Sequence, residues 1–313
     1  MASNHPKLIF GAANIGTSYA TPQAVSDLLD TLQSVGIDRI DTAARYPPTD
    51  PGASERLLGE AGVSERGFAI DTKILPGSHR PEAVAKSVGG SYERLQLLEH
   101  QLNVLYLHAP DLTTPLEEQA AALDAQYKKG LFTELGICNF SAPMLKDLIE
   151  ICDKRGFVKP TVYQGQYNLV YRNLEKTIMP TLRQHDIAFN AFSPLAGGFL
   201  TGRVSAGQAE GSRFEEGSAF GSNYRDWYLN ENMHKAIETL SGILEAESIS
   251  KAEAALRWIA YHSELGPTDA IILGASRPSQ VEETAKAIRQ GHLPHDVVGA
   301  MNNLWYSFSS EAK

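Results

Sequence analysis

The chain has 313 residues, a mass of 34.1 kDa, a hydrophobic content of 42% and a formal net charge of -9 at pH 7. This length fits one large α/β domain or two small ones, and the acidic balance disfavours nucleic acid as a partner, because contacts to a phosphate backbone need basic patches. The two cysteines, Cys138 and Cys152, are too few for a disulfide framework or a zinc-ligand cluster.

The sequence also disfavours export and membrane insertion. Its first residues contain neither the basic segment nor the apolar stretch of a secretory signal. No uninterrupted apolar run is long enough to span a bilayer. We therefore expect a cytoplasmic protein with no membrane partner.

Short apolar runs alternate with segments of helical spacing along most of the chain. Thr21 and Pro22 open the first helix and Gly36 closes it, and Ser54 and Ser141 are expected to cap two later helices. The predicted strands are 8–15, 39–42, 68–74, 104–107, 134–139, 161–164, 188–192 and 270–273. The predicted helices after the first are 55–61, 81–98, 115–129, 144–154, 174–185, 233–246, 251–262 and 278–288.

Eight strands in strict alternation with helices predict a parallel sheet that closes into a (β/α)8 TIM barrel. A doubly wound sheet is the alternative, but its G-x-G-x-x-G fingerprint is absent, because Gly11 and Gly16 have the wrong spacing. No linker divides the chain, so we expect one domain over residues 1–313. Residues 297–308 carry apolar spacing and are expected to pack beneath or across the barrel.

One long segment, residues 197–232, interrupts the alternation. It is rich in Gly, Ser, Arg and aromatic residues and shows no regular period. A loop of this length inside a compact domain usually has a function, often as a lid or a binding loop. We therefore expect it to contact a substrate or a cofactor.

Four ionisable side chains, Asp41, Tyr46, Lys73 and His108, fall near the ends of the second, third and fourth predicted strands. Active sites of parallel barrels form at the carboxyl ends of the strands. A buried lysine needs a carboxylate partner, and an ammonium lowers the pKa of a neighbouring phenol. A histidine can donate a hydrogen bond that orients a substrate oxygen. Together the four residues predict a site that protonates a carbonyl oxygen.

Each of the four also has an ordinary structural interpretation. Asp41 fits a turn cap, and Tyr46 fits loop packing beside two prolines. Lys73 fits a solvated strand end, and His108 fits a core histidine bonded to the backbone. Their shared position at successive strand ends favours a common site over four separate structural roles.

In this order and spacing, Asp41-x4-Tyr46, Lys73 and His108 resemble the pattern of the aldo-keto reductase family. The resemblance is greatest to the branch of aflatoxin-aldehyde and succinic-semialdehyde reductases. It covers nearly the whole chain, through GICNFS at 136–141, YQGQYN at 163–168, FSPLAGG at 192–198, LTGR at 200–203 and GASRPSQ at 274–280.

The resemblance implies an NADP(H)-dependent reductase of aldehydes or reactive ketones. Tyr46 would be the general acid, Lys73 and Asp41 would tune it, and His108 would orient the substrate. The cofactor-binding residues that it implies are Thr17, Asp41, Asn139, Gln164, Phe192, Ser193, Leu195, Gly197, Arg203, Gly274, Ser276, Gln280 and Glu283.

Within that set, Asn139 and Gln164 would hydrogen-bond the nicotinamide carboxamide, and Phe192 would stack on the nicotinamide ring. Residues 193–203 would run along the pyrophosphate. The sequence departs from the family pattern near the nicotinamide at Cys138 and Phe192. Cys138 replaces the usual serine beside the amide-binding asparagine, and Phe192 replaces the usual tyrosine, which preserves the stacking ring.

The choice between NADP(H) and NAD(H) is less well specified than cofactor use itself. Gly274 and Thr284 occupy positions that are lysine and asparagine in many family members. A preference for NADP(H) therefore rests on Ser276, Arg277 and Arg203, and NAD(H) is the second expectation.

Substrate selection is expected from the catalytic residues and the long loop. The resemblance places a Tyr-Arg pair of the aflatoxin-aldehyde branch at Tyr224-Arg225, where an arginine suits an acidic substrate tail. A solvated charge on the loop is the alternative interpretation. Tyr19 is a further expected pocket wall. The expected substrate contacts are Tyr46, His108, Arg213, Tyr224, Arg225 and Trp227.

Two other classes stay open on the sequence alone. One is a non-catalytic NADPH-binding regulatory subunit, as channel-associated relatives of the family suggest. The other is a metal-dependent barrel hydrolase, but the scarcity of strand-end histidines predicts no metal site. The expected partner is a small carbonyl substrate, and a homodimer is an option because the resembling branch includes dimers.

Overall fold

The computed structural model describes residues 5–75, 77, 79–98, 102–218 and 221–309, so residues 1–4, where the prediction of no secretory signal partly falls, lie outside it. The strands are β1 Lys7–Gly11, β2 Arg39–Asp41, β3 Ala69–Ile74, β4 Leu102–Leu107, β5 Glu134–Cys138, β6 Pro160–Gln166, β7 Ala188–Phe192 and β8 Ala270–Leu273. Each strand pairs in parallel with the next, and β8 pairs with β1 to close the barrel. This confirms the predicted (β/α)8 TIM barrel.

Helices follow the strands around the barrel. They are α1 Pro22–Ser34, α2 Ala53–Glu60, α3 Pro81–Leu95, α4 Leu116–Lys128, α5 Ala142–Arg155, α6 Leu174–Thr177, α7 Met179–Gln184, α8 Gly221–Tyr228, α9 Glu231–Leu244, α10 Lys251–Tyr261, α11 Pro278–Arg289 and α12 His295–Ser309. Thr21 caps α1 by accepting a hydrogen bond from the Ala24 N–H at 3.2 Å. Ser141 caps α5 in the same way through Met144. Both caps were predicted.

Ser54 does not cap α2, which corrects the sequence prediction. The helix begins at Ala53, two residues earlier than predicted, after Gly52, whose φ of 90° turns the chain. The Ser54 side chain is fully buried, lies 2.9 Å from the Thr42 hydroxyl and donates a hydrogen bond to the Ala12 carbonyl. The serine therefore ties α2 to the barrel wall instead of starting the helix.

β1 is shorter than its apolar pattern predicts. Its last pairing with β2 joins Gly11 to Asp41, and a 3-10 turn follows at Ala12–Asn14. The apolar run continues to Ile15, but no neighbouring strand remains to accept its backbone hydrogen bonds. Ala12 and Ile15 are nevertheless fully buried, and Ser54 of α2 donates a hydrogen bond to the Ala12 carbonyl.

Two predicted helices also differ from the observed ones. α3 ends three residues early, where Gln96 takes a left-handed φ of 53°. The predicted helix 174–185 is divided into α6 and α7 at Ile178. Pro180 has no N–H to donate to the preceding turn, so the helix breaks there.

The segment 197–232 is not irregular throughout. A 3-10 turn covers Ala196–Thr201, α8 lies inside the predicted loop, and α9 begins before the loop was expected to end. Residues 219 and 220 lie outside the described residues. α12, the predicted tail, packs against α9, and its Asn302 accepts hydrogen bonds from Arg172 and from the Trp258 indole.

Alternation along β3 decides which side chains enter the barrel. Thr72 points outward and donates a hydrogen bond to Glu55 on α2, so Asp71 and Lys73 point inward. Asp71 is fully buried and accepts a hydrogen bond from Arg39 Nε at 2.8 Å. The inside of this barrel therefore contains buried charges as well as the usual apolar layers.

Asp269, just before β8, joins three parts of the barrel at the amino-terminal ends of its strands. Its carboxylate is fully buried and accepts hydrogen bonds from the N–H groups of Phe189 and Gly266 at 2.8 and 2.7 Å. Two further bonds come from the Arg183 guanidinium on α7, at 2.8 and 2.6 Å. One side chain thus holds β7, α7 and the loop before β8 together.

We expect Asp269→Ala to lower the free energy of unfolding by roughly 3 kcal/mol, because it leaves the buried N–H of Phe189 and the partly buried N–H of Gly266 without an acceptor. Urea denaturation monitored by circular dichroism measures this change. Glu150→Ala is the control, since its ion pair with Lys154 is solvent-exposed and contributes little. Equal losses in the two variants would contradict the assignment.

Candidate active site

Lys73 and Asp41 form a buried ion pair at the carboxyl ends of β3 and β2. Lys73 Nζ donates to both carboxylate oxygens of Asp41 at 2.7 Å and to the Thr42 carbonyl at 2.8 Å. Burial alone would lower the pKa of Lys73, but the negative charge of Asp41 raises it above its ordinary value. The ammonium therefore keeps its charge at neutral pH.

Tyr46 lies beside this ion pair, in the loop after β2. The Lys73 Nζ atom is 5.2 Å from the centroid of the Tyr46 ring. Burial raises the pKa of Tyr46, and the Lys73 charge opposes that shift without cancelling it. The ammonium acts in the expected direction, but desolvation of the phenolate is the larger effect. The phenol therefore holds its proton at neutral pH.

His108 completes the predicted group of four. Its ring meets the Tyr46 ring edge-on, with centroids 5.6 Å apart and an interplanar angle of 86°. Burial, together with the charges of Lys73 and Arg45, lowers the pKa of His108 to about 3. No described residue partners its Nδ1 atom. The imidazole is thus neutral at neutral pH and suits a hydrogen-bond donor better than an acid.

A buried network that the sequence did not indicate fixes the loop behind His108. One Asp111 carboxylate oxygen accepts a hydrogen bond from the His79 N–H, and the other accepts from the Thr113 N–H, both at 2.8 Å. Gln119 on α4 donates to the Asp111 carbonyl and lies 2.8 Å from His79 Nδ1. The loops after β3 and β4 are joined in this way. His79 is 32 residues from Asp111, so no local sequence pattern relates the two loops.

Two amides from β5 and β6 contact the same group of residues. Gln164 donates from Nε2 to Asp41 Oδ1 at 2.7 Å. Asn139 adopts a left-handed φ of 62° just after β5 and donates from Nδ2 to the His108 carbonyl at 2.9 Å. No described residue donates to the amide oxygen of either side chain. Cys138 beside them is buried, and burial raises the pKa of its thiol, so it is an unreactive core residue.

Phe192 ends β7, on the side of the barrel where β8 and β1 meet. Its half-buried ring packs against a small apolar cluster of Ile9, Ala270 and Ile272. Ser193 follows with a left-handed φ of 58°, which turns the chain out of the sheet. The ring is therefore supported from the barrel side at the level of the strand ends.

Arg213 joins the long segment to other loops at the mouth of the barrel. It donates to the Tyr224 hydroxyl at 2.7 Å and to Asn14 Oδ1 at 3.3 Å. The Tyr224 hydroxyl lies 2.7 Å from the Ser193 hydroxyl. Gly197 leaves room for this arrangement, because a Cβ there would lie 2.4 Å from the Tyr224 ring. Among the predicted substrate residues, Arg213 and Tyr224 thus connect the loops that follow β1 and β7, on either side of β8.

The three other residues that were predicted to line the substrate pocket have different contacts. The Arg225 guanidinium donates to the backbone carbonyls of Phe214 and Glu215, which holds the segment in shape. Trp227 is 39% exposed and packs edge-on against Tyr224. Tyr19 is 3% exposed and belongs to the buried core.

The other predicted cofactor residues lie in the segments that follow β1, β7 and β8. At the start of α11, Gln280 Oε1 accepts hydrogen bonds from the Ser276 N–H at 2.8 Å and the Ser276 hydroxyl at 3.1 Å. Thr17 donates to the Asn14 carbonyl. The positions not yet placed are half-buried Leu195, exposed Arg203 with Nε 3.4 Å from Gln208, exposed Gly274 at the end of β8, and exposed Glu283 on α11.

Within the described part of the chain, no group of three or more His, Cys, Asp or Glu side chains is arranged to hold a metal ion. In the same ranges, none of the helices is both long and apolar enough to cross a membrane.

Comparison with known proteins gives consistent matches. The sequence matches the Aldo/keto reductase family over residues 7–305. An aldo-keto reductase of Pseudocercospora fijiensis (strain CIRAD86) is 35% identical over 290 residues, which cover 89% of this chain and 96% of the relative. Human aldo-keto reductase family 7 member A3 is 34% identical over 323 residues, or 98% and 96% of the two chains. Human aflatoxin B1 aldehyde reductase member 4 is 33% identical over 323 residues, which cover 98% of this chain and 96% of the relative. Since the matched region includes all eight strands and the residues at their ends, this chain belongs to the aldo/keto reductase family.

Proposed function

We propose that the chain is an NADPH-dependent reductase of aldehydes or reactive ketones in which Tyr46 gives the proton to the carbonyl oxygen. Membership of the family supports carbonyl reduction. The identity of the cofactor, of the proton donor and of the substrate class is what we propose. One observation carries it. A protonated phenol lies beside a buried, charged ammonium, and a neutral imidazole lies within contact of its ring.

The residues around this group fit a nicotinamide ring. The amide oxygens of Asn139 and Gln164 have no donor among the described residues, so they can accept from a carboxamide N–H. The half-buried ring of Phe192 offers a flat apolar surface at the same level of the barrel. When bound there, NADPH supplies the hydride. The protein supplies position and charge stabilisation.

The chain's own residues then account for proton transfer. Negative charge builds on the carbonyl oxygen during reduction, and the Tyr46 hydroxyl and the neutral His108 imidazole are the donors for that oxygen. After transfer the phenolate faces the Lys73 ammonium, which stabilises it. Asp41 holds the ammonium in place through two hydrogen bonds. Three side chains thus prepare one proton for delivery.

The names of the relatives suggest an aldehyde as substrate, and we propose that class here. For an acidic aldehyde we place the carboxylate near Arg213, whose guanidinium lies at the mouth of the barrel. Arg225 is a poorer candidate because backbone carbonyls already accept its hydrogen bonds. We propose NADPH rather than NADH because Ser276 and Arg277 lie at the start of α11, where a helix N-terminus favours the extra phosphate of NADPH. A cytoplasmic location and a homodimer stay predictions from the sequence.

Tyr46→Phe tests the proton donor. We expect kcat for aldehyde reduction to fall by about 10²- to 10⁴-fold, the usual contribution of a general acid. Loss of NADPH absorbance measures turnover, and quenching of protein fluorescence by NADPH should show unchanged binding. Tyr127→Phe, a partly exposed tyrosine on α4, is the matched control and should behave as wild type. Near-normal turnover in Tyr46→Phe would refute the mechanism, and no turnover in the wild type would favour the regulatory-subunit alternative.

The lowered pKa of His108 predicts the pH dependence of reduction. Because the imidazole stays neutral until the pH approaches 3, kcat/KM should be level between about pH 5 and 7. A rise or fall centred near 6.5, the ordinary pKa of histidine, would show instead that His108 titrates in this range. Steady-state assays across the range at constant ionic strength give the result.

Arg213→Ala and Arg225→Ala distinguish the two loop arginines. We expect Arg213→Ala to raise KM for an aldehyde with a terminal carboxylate by about tenfold relative to a neutral aldehyde of equal length, because a charged hydrogen bond is lost. Arg225→Ala should change both substrates equally, since it only loosens the loop. The opposite pattern would move the acidic-tail contact to Arg225. NADPH affinity of each variant shows whether the cofactor site is affected as well.

A further inference from the structure

Tyr106 lies inside the barrel, next to the group formed by Asp41, Tyr46, Lys73 and His108. It is on β4, two residues before His108, and it is among the largest fully buried side chains. Its backbone pairs with Lys73 across β3 and β4, and the Lys73 Nζ atom is 5.5 Å from the centroid of its ring. The Lys73 ammonium therefore lies over two tyrosine rings, those of Tyr46 and Tyr106.

The space for this ring comes from a missing side chain on the next strand. Gly136 on β5 is the register partner of Tyr106. A Cβ on Gly136 would lie 2.2 to 2.8 Å from three atoms of the Tyr106 ring. Any other residue would force the ring to move. The glycine and the tyrosine thus form a matched pair that places an aromatic face under the ammonium.

The far end of Tyr106 is fixed as well. Asn190 on β7 donates a hydrogen bond from Nδ2 to the Tyr106 hydroxyl at 2.8 Å. Burial, together with the negative charge of Asp71, holds the pKa of Tyr106 well above its ordinary value. The phenol stays neutral, so Tyr106 does not act as a second acid. Its contribution to Lys73 comes from the face of the ring.

We propose that Tyr106 is a positioning residue for proton transfer: its ring supports the Lys73 ammonium from below and keeps it against Tyr46. A cation is attracted to an aromatic face, and this attraction is strongest where water is excluded. The hydrogen bonds of Asp41 and Thr42 set the distance of the ammonium from β2, and the Tyr106 ring prevents it from sinking into the barrel. This role rests on the proposed function of Tyr46 as the acid.

The alternative is that Tyr106 only fills space. Val104, Cys138 and Val162 surround it in a small buried cluster, so its removal would cost stability in either case. A space-filling residue can be replaced by any side chain of similar volume without a specific effect on the chemical step. A positioning ring cannot, because a leucine or a methionine in its place offers no aromatic face to the ammonium.

The test compares Tyr106→Phe, Tyr106→Leu and Tyr106→Met. We expect Leu and Met to lower kcat by about tenfold with little change in KM, the order of a desolvated cation–π contact, and Phe to restore most of the rate. Met has a similar volume but is unbranched and adapts better to an irregular space, so it serves if the Leu variant fails to fold. Phe189→Leu, which removes another fully buried aromatic ring, is the control and should cost stability without the loss of kcat.

A second readout needs no cofactor. In protein labelled with 13C at the tyrosine ζ carbons, the Tyr46 signal is identified by its absence in Tyr46→Phe. We expect Tyr46 to titrate at higher pH in Tyr106→Leu than in wild type, because a displaced ammonium stabilises the phenolate less. An unchanged titration would contradict the positioning role.

The outcomes separate the two proposals. If wild type reduces no carbonyl, or if Tyr46→Phe keeps its turnover, the proposed function is wrong whatever the Tyr106 variants do. If both of those results are as expected but Tyr106→Leu keeps kcat within about twofold of wild type, the positioning role alone is wrong. Equal damage in the Phe and Leu variants would refute it in the same way.

Discussion

The buried ion pair of Lys73 and Asp41 is the constraint on which the rest of the site depends. Removing two charges from water costs several kcal/mol per ion unless the geometry and the remaining hydrogen bonds offset it. Here the ammonium donates three hydrogen bonds, to both Asp41 oxygens and to the Thr42 carbonyl, and Gln164 donates to the same carboxylate from across the barrel. Only a closed barrel brings β2, β3 and β6 around one point. The fold and the chemistry are therefore linked through this pair.

A second ion pair deeper in the barrel shows what a polar interior costs. Burial raises the pKa of Asp71 to about 6, although the Arg39 charge and a hydrogen bond from Asn103 oppose the shift. A carboxyl whose pKa is raised on folding stabilises the protein fully below its unfolded value of 3.8, and this stability is lost as the pH rises through about 6. At neutral pH the ionised Asp71 is thus a net cost. The outer packing, including the network at Asp269, must offset it.

The sequence predicted the features that depend on local patterns or on the pairing of opposite charges. Eight alternating apolar runs predicted the number and order of the strands. The opposite charges of Asp41 and Lys73 at successive strand ends predicted their ion pair. The break at Ile178 could have been expected from Pro180, because a proline inside a helix lacks a donor. The roles of Ser54 and Arg225 could not, since their partners are far away in sequence or are backbone carbonyls. A serine at the start of a helix is predicted to be a cap, and only the folded structure shows that Ser54 contacts Thr42 and Ala12 instead.

The raised pKa of Tyr46 is compatible with its proposed role as the acid. A phenol with a lowered pKa would be partly ionised before any substrate arrived, and an ionised phenol has no proton to give. Burial keeps Tyr46 protonated, and the adjacent ammonium lowers the energy of the phenolate at the moment of transfer, when the carbonyl oxygen takes on negative charge. The neutral state of His108 has the same origin, because burial and the Lys73 charge both disfavour a second cation. Burial and the Lys73 charge thus both favour Tyr46 over His108 as the proposed proton donor.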